Sequence, residues 1–440
     1  MKKRCKKIIS ISLVLLMALI GAIGCSKDTP TDSSGTKEDL GQSTTDMAGE
    51  QSQSEDKIKL TFWYTYGDSE EAQLKDVVIP KWNALHPDIE IEPVRQDSSQ
   101  YNQMIVTAFG TGQTPDVARV DIINTASYAN QHGIIALSDR DGFEELKSTF
   151  LNAPMSTNYY QGKYYGLPLD TNCKAAVINE NVMKALGIDG VPATMEEFIS
   201  AAKEKGNGGY LLNVSGVGDW DLLPYFWLFG GSLTDDTFTT ASGYLDSDAS
   251  VQAINTMLEL NEEKIFTIRD IDGSVDAWDG IITGEYAMFF EGPWYFGSYE
   301  DSEEQGIIPA LIPTYHGESA SVVGGENIVV FEASKNQDAA YEFAQFMDSE
   351  EIQLDMLKTG QLPVLKSLVE NEAVTSEPVW SIYMKQMESA KARIPSPNQT
   401  IISEIWSDTM TDIFANKADV KTELSNTAKL IDEQLAEDKQ

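Results

Sequence analysis

Residues 58–64, IKLTFWY, are β-branched and aromatic with partial alternation, which predicts a strand. EEAQLKDVVIPKWNALHP then carries apolar residues at helical spacing and stops at Pro87. IEIEPVRQ alternates as a second strand, YNQMIVTAFGTGQ reads as a helix closed by glycines, and PDVARVD as a third strand. Strand, helix, strand, helix, strand predicts a mostly parallel α/β sheet. SYANQHGIIALSDR follows as helix and turn, and QGK in YYQGKYYGLPLD predicts a hairpin turn. AAVINENVMKALGI reads as a strand running into a helix. VPATMEEFISAAKEKG is a further helix, with Thr194 as N-cap and Glu197 completing a capping box. Further α/β elements continue to about residue 310, and IIPALIPTYHG and VVGGENIVVF add strands. SKNQDAAYEFAQFMDSEEIQLDMLKTG is a long amphipathic region, and the chain beyond about residue 370 reads as mainly helical. No repeat with a period of about 20–50 residues is visible.

The N-terminal end breaks this pattern. MKKRCKK is basic, and IISISLVLLMALIGAIG is apolar but short for a membrane span. The Gly24-Cys25-Ser26 that follows resembles the lipobox of bacterial lipoproteins, although Ala22 stands where Leu is commonest. The resemblance implies that residues 1–24 are a signal peptide and that Cys25 is lipidated. The alternative is a cleaved signal peptide with an incidental cysteine. Residues 25–56 are rich in Ser, Thr, Gly, Gln and acids and nearly free of large apolar residues, which predicts a flexible tether. Its reach is about 30 Å, enough to hold a folded body just off a membrane.

At 440 residues with 42% hydrophobic composition, the rest can bury the core of two domains. The formal net charge of −37 argues against binding nucleic acid or anionic lipid through a basic face. The three histidines, at 86, 132 and 316, are too scattered for a metal site or a Cys–His dyad, and no metal or cofactor is expected. Cys173 is the single cysteine beyond Cys25, so no disulfide is expected in the folded part.

MFFEGPWYFGSYE, residues 288–300, sets Glu291 beside Trp294 and further aromatic rings. Such a pairing suits a sugar site, either as the acid of a glycosidase or as a platform that only holds a sugar. A glycosidase needs two carboxylates held about 5–10 Å apart, and with 69 acids some pair always exists. No P-loop, Rossmann fingerprint, G-x-S-x-G or H-E-x-x-H motif is present.

LTFWYTYG, TGQTPDVARVD, YYGLPLDTNCKAAVINENVMKALGI, VPATMEEF, AMFFEGPW and VVGGENIVV occur in the order typical of the bacterial extracellular solute-binding proteins of the sugar-binding class, relatives of the maltodextrin-binding protein. The chain resembles that family from residue 57 onward, with Met195 where Trp is usual. The resemblance implies a two-lobed α/β fold of the periplasmic-binding-protein type II class, with the ligand in a cleft between lobes. The N-terminal lobe would comprise 57–168 and about 314–365, and the C-terminal lobe 169–313 and about 366–440. Crossings would fall near Pro168–Asn172 and Ile312–Thr314.

The resemblance places Trp294 and Trp220 as rings that stack on sugar. Trp227 reads as core, and Trp63 as core or a second layer. Tyr66 and Asp68 follow the first strand, where a loop can face the cleft. Asp121 ends its strand at the edge where α/β sheets put ligand loops. Asp170 and Asn172 lie in the first crossover. Glu326 and Asn327 follow two glycines that either let a ligand approach or serve a turn. Arg393 could reach hydroxyls or bridge the lobes. Glu291 stands where relatives only bind.

The expected function is capture of a carbohydrate, a di- or oligosaccharide, and its delivery by lobe closure to the membrane subunits of an ATP-driven (ABC) importer. The protein is expected to be a monomer, lipid-anchored on the outer face of the cytoplasmic membrane, and not an enzyme. The competing readings are a secreted carbohydrate-active enzyme and a sensor module that presents its ligand to a membrane receptor.

Overall fold

The computed structural model describes residues 57–437 except 207 and 300. Cys25, the signal peptide and the tether lie outside the described residues. Eleven strands in two sheets matter here: β1 (Ile58–Tyr64), β2 (Ile89–Arg95), β3 (Val117–Asp121), β4 (Leu167–Cys173), β5 (Ala175–Asn179), β6 (Leu212–Val214), β7 (Phe266–Ile268), β8 (Met288–Glu291), β9 (Ile307–Ala310), β10 (Ser321–Val330) and β11 (Ala390–Lys391).

The first sheet runs β11-β10-β3-β1-β2, with β4 also paired to β10. The strands predicted from the opening pattern are parallel, β1 between β2 and β3. The long return strand β10 makes the sheet mixed, because it pairs antiparallel with both β3 and β4. The second sheet runs β9-β5-β8-β6-β7 and is mixed as well.

Side-chain alternation decides how these strands bury. On β1, Leu60, Phe62 and Tyr64 are fully buried while their neighbours are not. β5 is buried at every position, as expected of a strand flanked on both edges and both faces. Each sheet has its own core. Phe62, Trp82, Phe343 and Met347 belong to that of the first. Phe226, Met257, Phe290, Trp406 and Ile431 belong to that of the second. The two C-terminal helices, Gln399–Phe414 and Val420–Glu437, therefore pack on the second sheet.

The chain changes sheet twice within a few residues. β4 and β5 are separated by Lys174 alone. Pro168–Asn172 stay on the first sheet because β4 keeps its register with β10 through Cys173 opposite Val323, so the change falls at Lys174. The return runs between Ala310 and Ser321. The two passages touch, since the Ser321 hydroxyl donates to the Lys174 carbonyl at 2.5 Å. Behind them a third cluster packs Cys173, Val323, Tyr383, Met384 and Met387.

The helix Met195–Lys205 begins as its sequence predicts. Thr194 Oγ1 accepts from the Glu197 amide at 3.1 Å, while the Glu197 carboxylate takes the Ala193 amide rather than that of Thr194. Tyr159–Tyr160 and Lys163–Tyr164 form the small hairpin expected at QGK. No helix among the described residues is long and apolar enough to cross a membrane.

Candidate functional site

Adjacent residues of a strand point to opposite faces, so β4 divides cleanly. Asp170, Asn172 and, just past its end, Lys174 share one face, and Cys173 lies in the cluster behind the crossing. Across β10, Asp170 pairs with Glu326 and Asn172 with Gly324. On the far side of β10, Asp121 of β3 pairs with Glu326. Asp121, Glu326, Asp170 and Asn172 therefore lie on neighbouring strands of a common floor.

Arg119 holds that floor together. Its Nε donates to Asp170 at 3.1 Å, its Nη2 lies 2.8 Å from Glu326, and its Nη1 donates to Thr65 at 3.2 Å. The guanidinium sits 4.7 Å over the ring of Tyr66, which is fully buried with its hydroxyl unpartnered among the described residues. Burial drives the Glu326 carboxyl well above the usual carboxylate range; Arg119 pulls it back and Asp170 pushes it further up.

The second sheet supplies the aromatic side. The helix Asp219–Leu228 begins with Asp219, Trp220 and Asp221, acids that suit a helix N-terminus. Lys174, buried at the crossing, pairs with Asp221 at 2.5 Å and lies 5.4 Å from the Trp220 ring centre. Arg393 lies 5.7 Å from the same ring and 3.8 Å from Asp219. Trp294, after β8, stacks on Trp220 with ring centres 5.9 Å apart and planes 28° apart. Trp294 is 41% exposed, so it is a surface ring and not the continuation of the buried strand before it.

Two glycines make room for this arrangement. A Cβ on Gly292 would lie 2.2 Å from the Trp294 indole. A Cβ on Gly324 would meet Asn172 Oδ1 at 2.2 Å and Trp220 at 3.0 Å. Gly324 thus accommodates side chains of the site itself, beyond the turn or ligand approach expected of the pair.

The remaining candidates are placed differently. Both Glu291 oxygens already accept protein donors, Trp278 Nε1 at 2.9 Å and the Gly292 amide at 2.8 Å. Glu291 is 7% exposed and braces the turn that presents Trp294. Asn327 lies on the other face of β10, fully buried, with its amide bonded to Thr125, Thr157 and Asn158. Asp68 is exposed and pairs with Arg95 at 2.7 Å. Asp121 is exposed and also caps the turn Ile122–Asn124 through the Ile123 amide. Trp227 is core, at 7% exposure, and Trp63 packs against a separate buried cluster.

Arg119, Lys174 and Asp221 escaped the sequence reading. For Arg119 one signal existed: it stands two residues before Asp121, hence on the same strand face. An opening of about 1120 Å³ is lined by both residues of β11 and by Asn152, Lys366, Trp227 and Asp235, among others. Of the residues weighed above, Trp227 alone lines it. Among the described residues no cluster of His, Cys, Asp and Glu could hold a metal ion.

Comparison with known proteins agrees with this architecture. Among curated relatives, the chain is 22% identical over 345 residues to the maltooligosaccharide ABC transporter solute-binding lipoprotein of Streptococcus pneumoniae, covering 73% of this chain and 77% of that protein. It is 23% identical over 321 residues to the diacetylchitobiose binding protein DasA of Streptomyces coelicolor, covering 71% and 74%. Among solved structures it resembles the GacH receptor of Streptomyces glaucescens, with a TM-score of 0.69 at 23% identity over 86% of this chain and 99% of that one. It also resembles the sugar-binding protein MalE of Xanthomonas citri, with a TM-score of 0.76 at 16% identity over 87% and 98%. The fold is thus the two-lobed one of these binding proteins, and with residues 78–379 matching the model of the bacterial extracellular solute-binding proteins, the chain belongs to that family.

Proposed function

We propose that this protein captures a di- or oligosaccharide outside the cell and delivers it to the membrane subunits of an ABC importer. The observation that carries this reading is the exposed Trp294 indole stacked on Trp220, beside a floor of Asp170, Asn172 and Glu326. Indole faces pack on the C–H faces of sugars, and carboxyl and amide groups take pairs of hydroxyls. The relatives named above for maltooligosaccharide and diacetylchitobiose support the same ligand class.

Each sheet with its core forms one lobe in this reading, and the paired passages at Lys174 and 311–320 form the hinge. A sugar touching both lobes favours the closed form over the open one. Glu291 acts as a brace for the platform and not as a catalytic acid, because both of its oxygens are occupied. The protein works as a monomer held to the membrane through lipidated Cys25 and the tether; Cys25→Ala releases it, and membrane retention of that variant refutes the anchor.

A thermal-shift screen against maltooligosaccharides, chito-oligosaccharides, arabino-oligosaccharides and monosaccharides tests the ligand class. An oligosaccharide at 100 times its Kd adds about 2.7 kcal/mol of stability. Response to monosaccharides alone, or to no sugar, counts against the proposal.

A further inference from the structure

The helix Pro378–Gln386 lies behind the crossing at Lys174 and touches both sides of it through one residue. Tyr383 is fully buried. Its carbonyl accepts from the thiol of Cys173, the last residue of β4, at 3.5 Å. Its hydroxyl donates to the main-chain carbonyl of Glu291, the last residue of β8, at 2.8 Å. Glu291 stands opposite Ala175, where β5 begins. Tyr383 therefore brackets Lys174, with one bond to the first sheet and one to the second.

The helix is itself held in place. Gln386 is buried and lies one turn on from Tyr383, on the same face. It closes a ring of bonds on the return passage. Its Oε1 accepts from the Ile312 amide at 2.7 Å, and its Nε2 donates to Ser319 Oγ at 3.2 Å. Ser319 Oγ in turn donates to the Ile312 carbonyl at 3.1 Å. The helix is thus bonded to both passages between the sheets.

This support reaches the aromatic platform. The Glu291 carboxylate takes Trp278 and the Gly292 amide, and the Glu291 carbonyl takes the Tyr383 hydroxyl. The turn that leads to Trp294 is therefore gripped through side chain and main chain alike. Phe296, just past Trp294, packs against the same cluster as Tyr383. The Trp294 ring is 41% exposed, so its orientation comes from Trp220 and from the turn that carries it.

We infer that Tyr383 is a positioning residue for ligand binding: its hydroxyl, through the Glu291 carbonyl, fixes the turn that presents Trp294 and ties the platform to the crossing. The inference rests on the carbohydrate reading for what the platform holds, but not for how the platform is held. Without the hydroxyl the turn keeps its side-chain bonds and loses its link to the helix. The indole then samples more orientations, and binding must restrict them at a cost in affinity. Tyr383 lies behind the crossing and not in the floor, so its effect on a sugar passes through Trp294.

Tyr383→Phe removes one oxygen and keeps the ring, and a double-mutant cycle with Trp294→Ala separates positioning from general stability. With a sugar found in the screen, Tyr383→Phe lowers affinity about two- to tenfold when Trp294 is present, the worth of one hydrogen bond. In the Trp294→Ala background it lowers affinity by less than about twofold. Equal losses in the two backgrounds, or no loss in either, overturn the inference. Protein labelled with 5-fluorotryptophan tests the same link without ligand. The fluorine resonance that is absent from Trp294→Phe shifts or broadens in Tyr383→Phe, while the one absent from Trp63→Phe, a ring on a separate cluster, stays in place. An unmoved Trp294 resonance, or equal movement of both, overturns the inference. Movement of the Trp294 resonance in a protein that binds no sugar upholds the positioning and counts against the carbohydrate reading instead.

Discussion

The indoles of Trp220 and Trp294 lie 5.9 Å apart, one ring 41% exposed and the other underneath it. The two residues are distant in sequence, on the first turn of one helix and just after β8. Lys174 at the crossing and Arg393 before the C-terminal helices both approach Trp220. The platform is therefore tied to the segment about which the lobes would close. Changes at the crossing should alter binding even where no ligand is touched.

Arg119→Met removes the guanidinium that pairs with both Asp170 and Glu326. Breaking one side of a buried ion pair costs about 3–5 kcal/mol. Denaturant unfolding should show a loss of that size. A loss below about 1 kcal/mol, the level of an exposed pair, would show that solvent screens the floor.

Gly324→Ala places a methyl 2.2 Å from Asn172 Oδ1 and 3.0 Å from Trp220. Overpacking of this kind costs about 1–3 kcal/mol. The displaced groups belong to the candidate site, so sugar affinity should fall together with the melting temperature. Unchanged affinity in calorimetry would separate Asn172 and Trp220 from binding.

Much of this was legible because it is local. The alternation that buries Leu60, Phe62 and Tyr64 marks β1, and Thr194 with Glu197 marks a helix start. The partners of Arg119 were not legible: Asp170 lies 51 residues away, and Glu326 is reached only because β10 returns between β3 and β4. Glu326 and Asn327 were both expected in the cleft. Neighbours on a strand face opposite ways, so one of the two had to leave it, and Asn327 did. Glu291 showed its acidity in the sequence but not its donors, since Trp278 comes from a separate helix.

Cys173 is fully buried, and its thiol lies 3.5 Å from the Tyr383 carbonyl. Burial pushes the thiol well above its ordinary range, so it stays protonated at pH 8 and unreactive. Iodoacetamide should modify the native protein far more slowly than the unfolded chain, and Cys173→Ser should keep affinity within about tenfold. Rapid native labelling would contradict the packing behind the crossing.

Trp294→Ala is the most direct test of the carbohydrate platform, with affinity for the sugar found in the screen measured by calorimetry and stability by denaturant unfolding without ligand. Stacking on one ring is worth about 1–3 kcal/mol, by analogy with bases on aromatic side chains. Affinity should therefore fall roughly tenfold to a hundredfold, with a smaller change in stability because the indole is 41% exposed. A core tryptophan would instead cost about 3–5 kcal/mol of stability. Unchanged affinity in a folded Trp294→Ala variant would contradict the account.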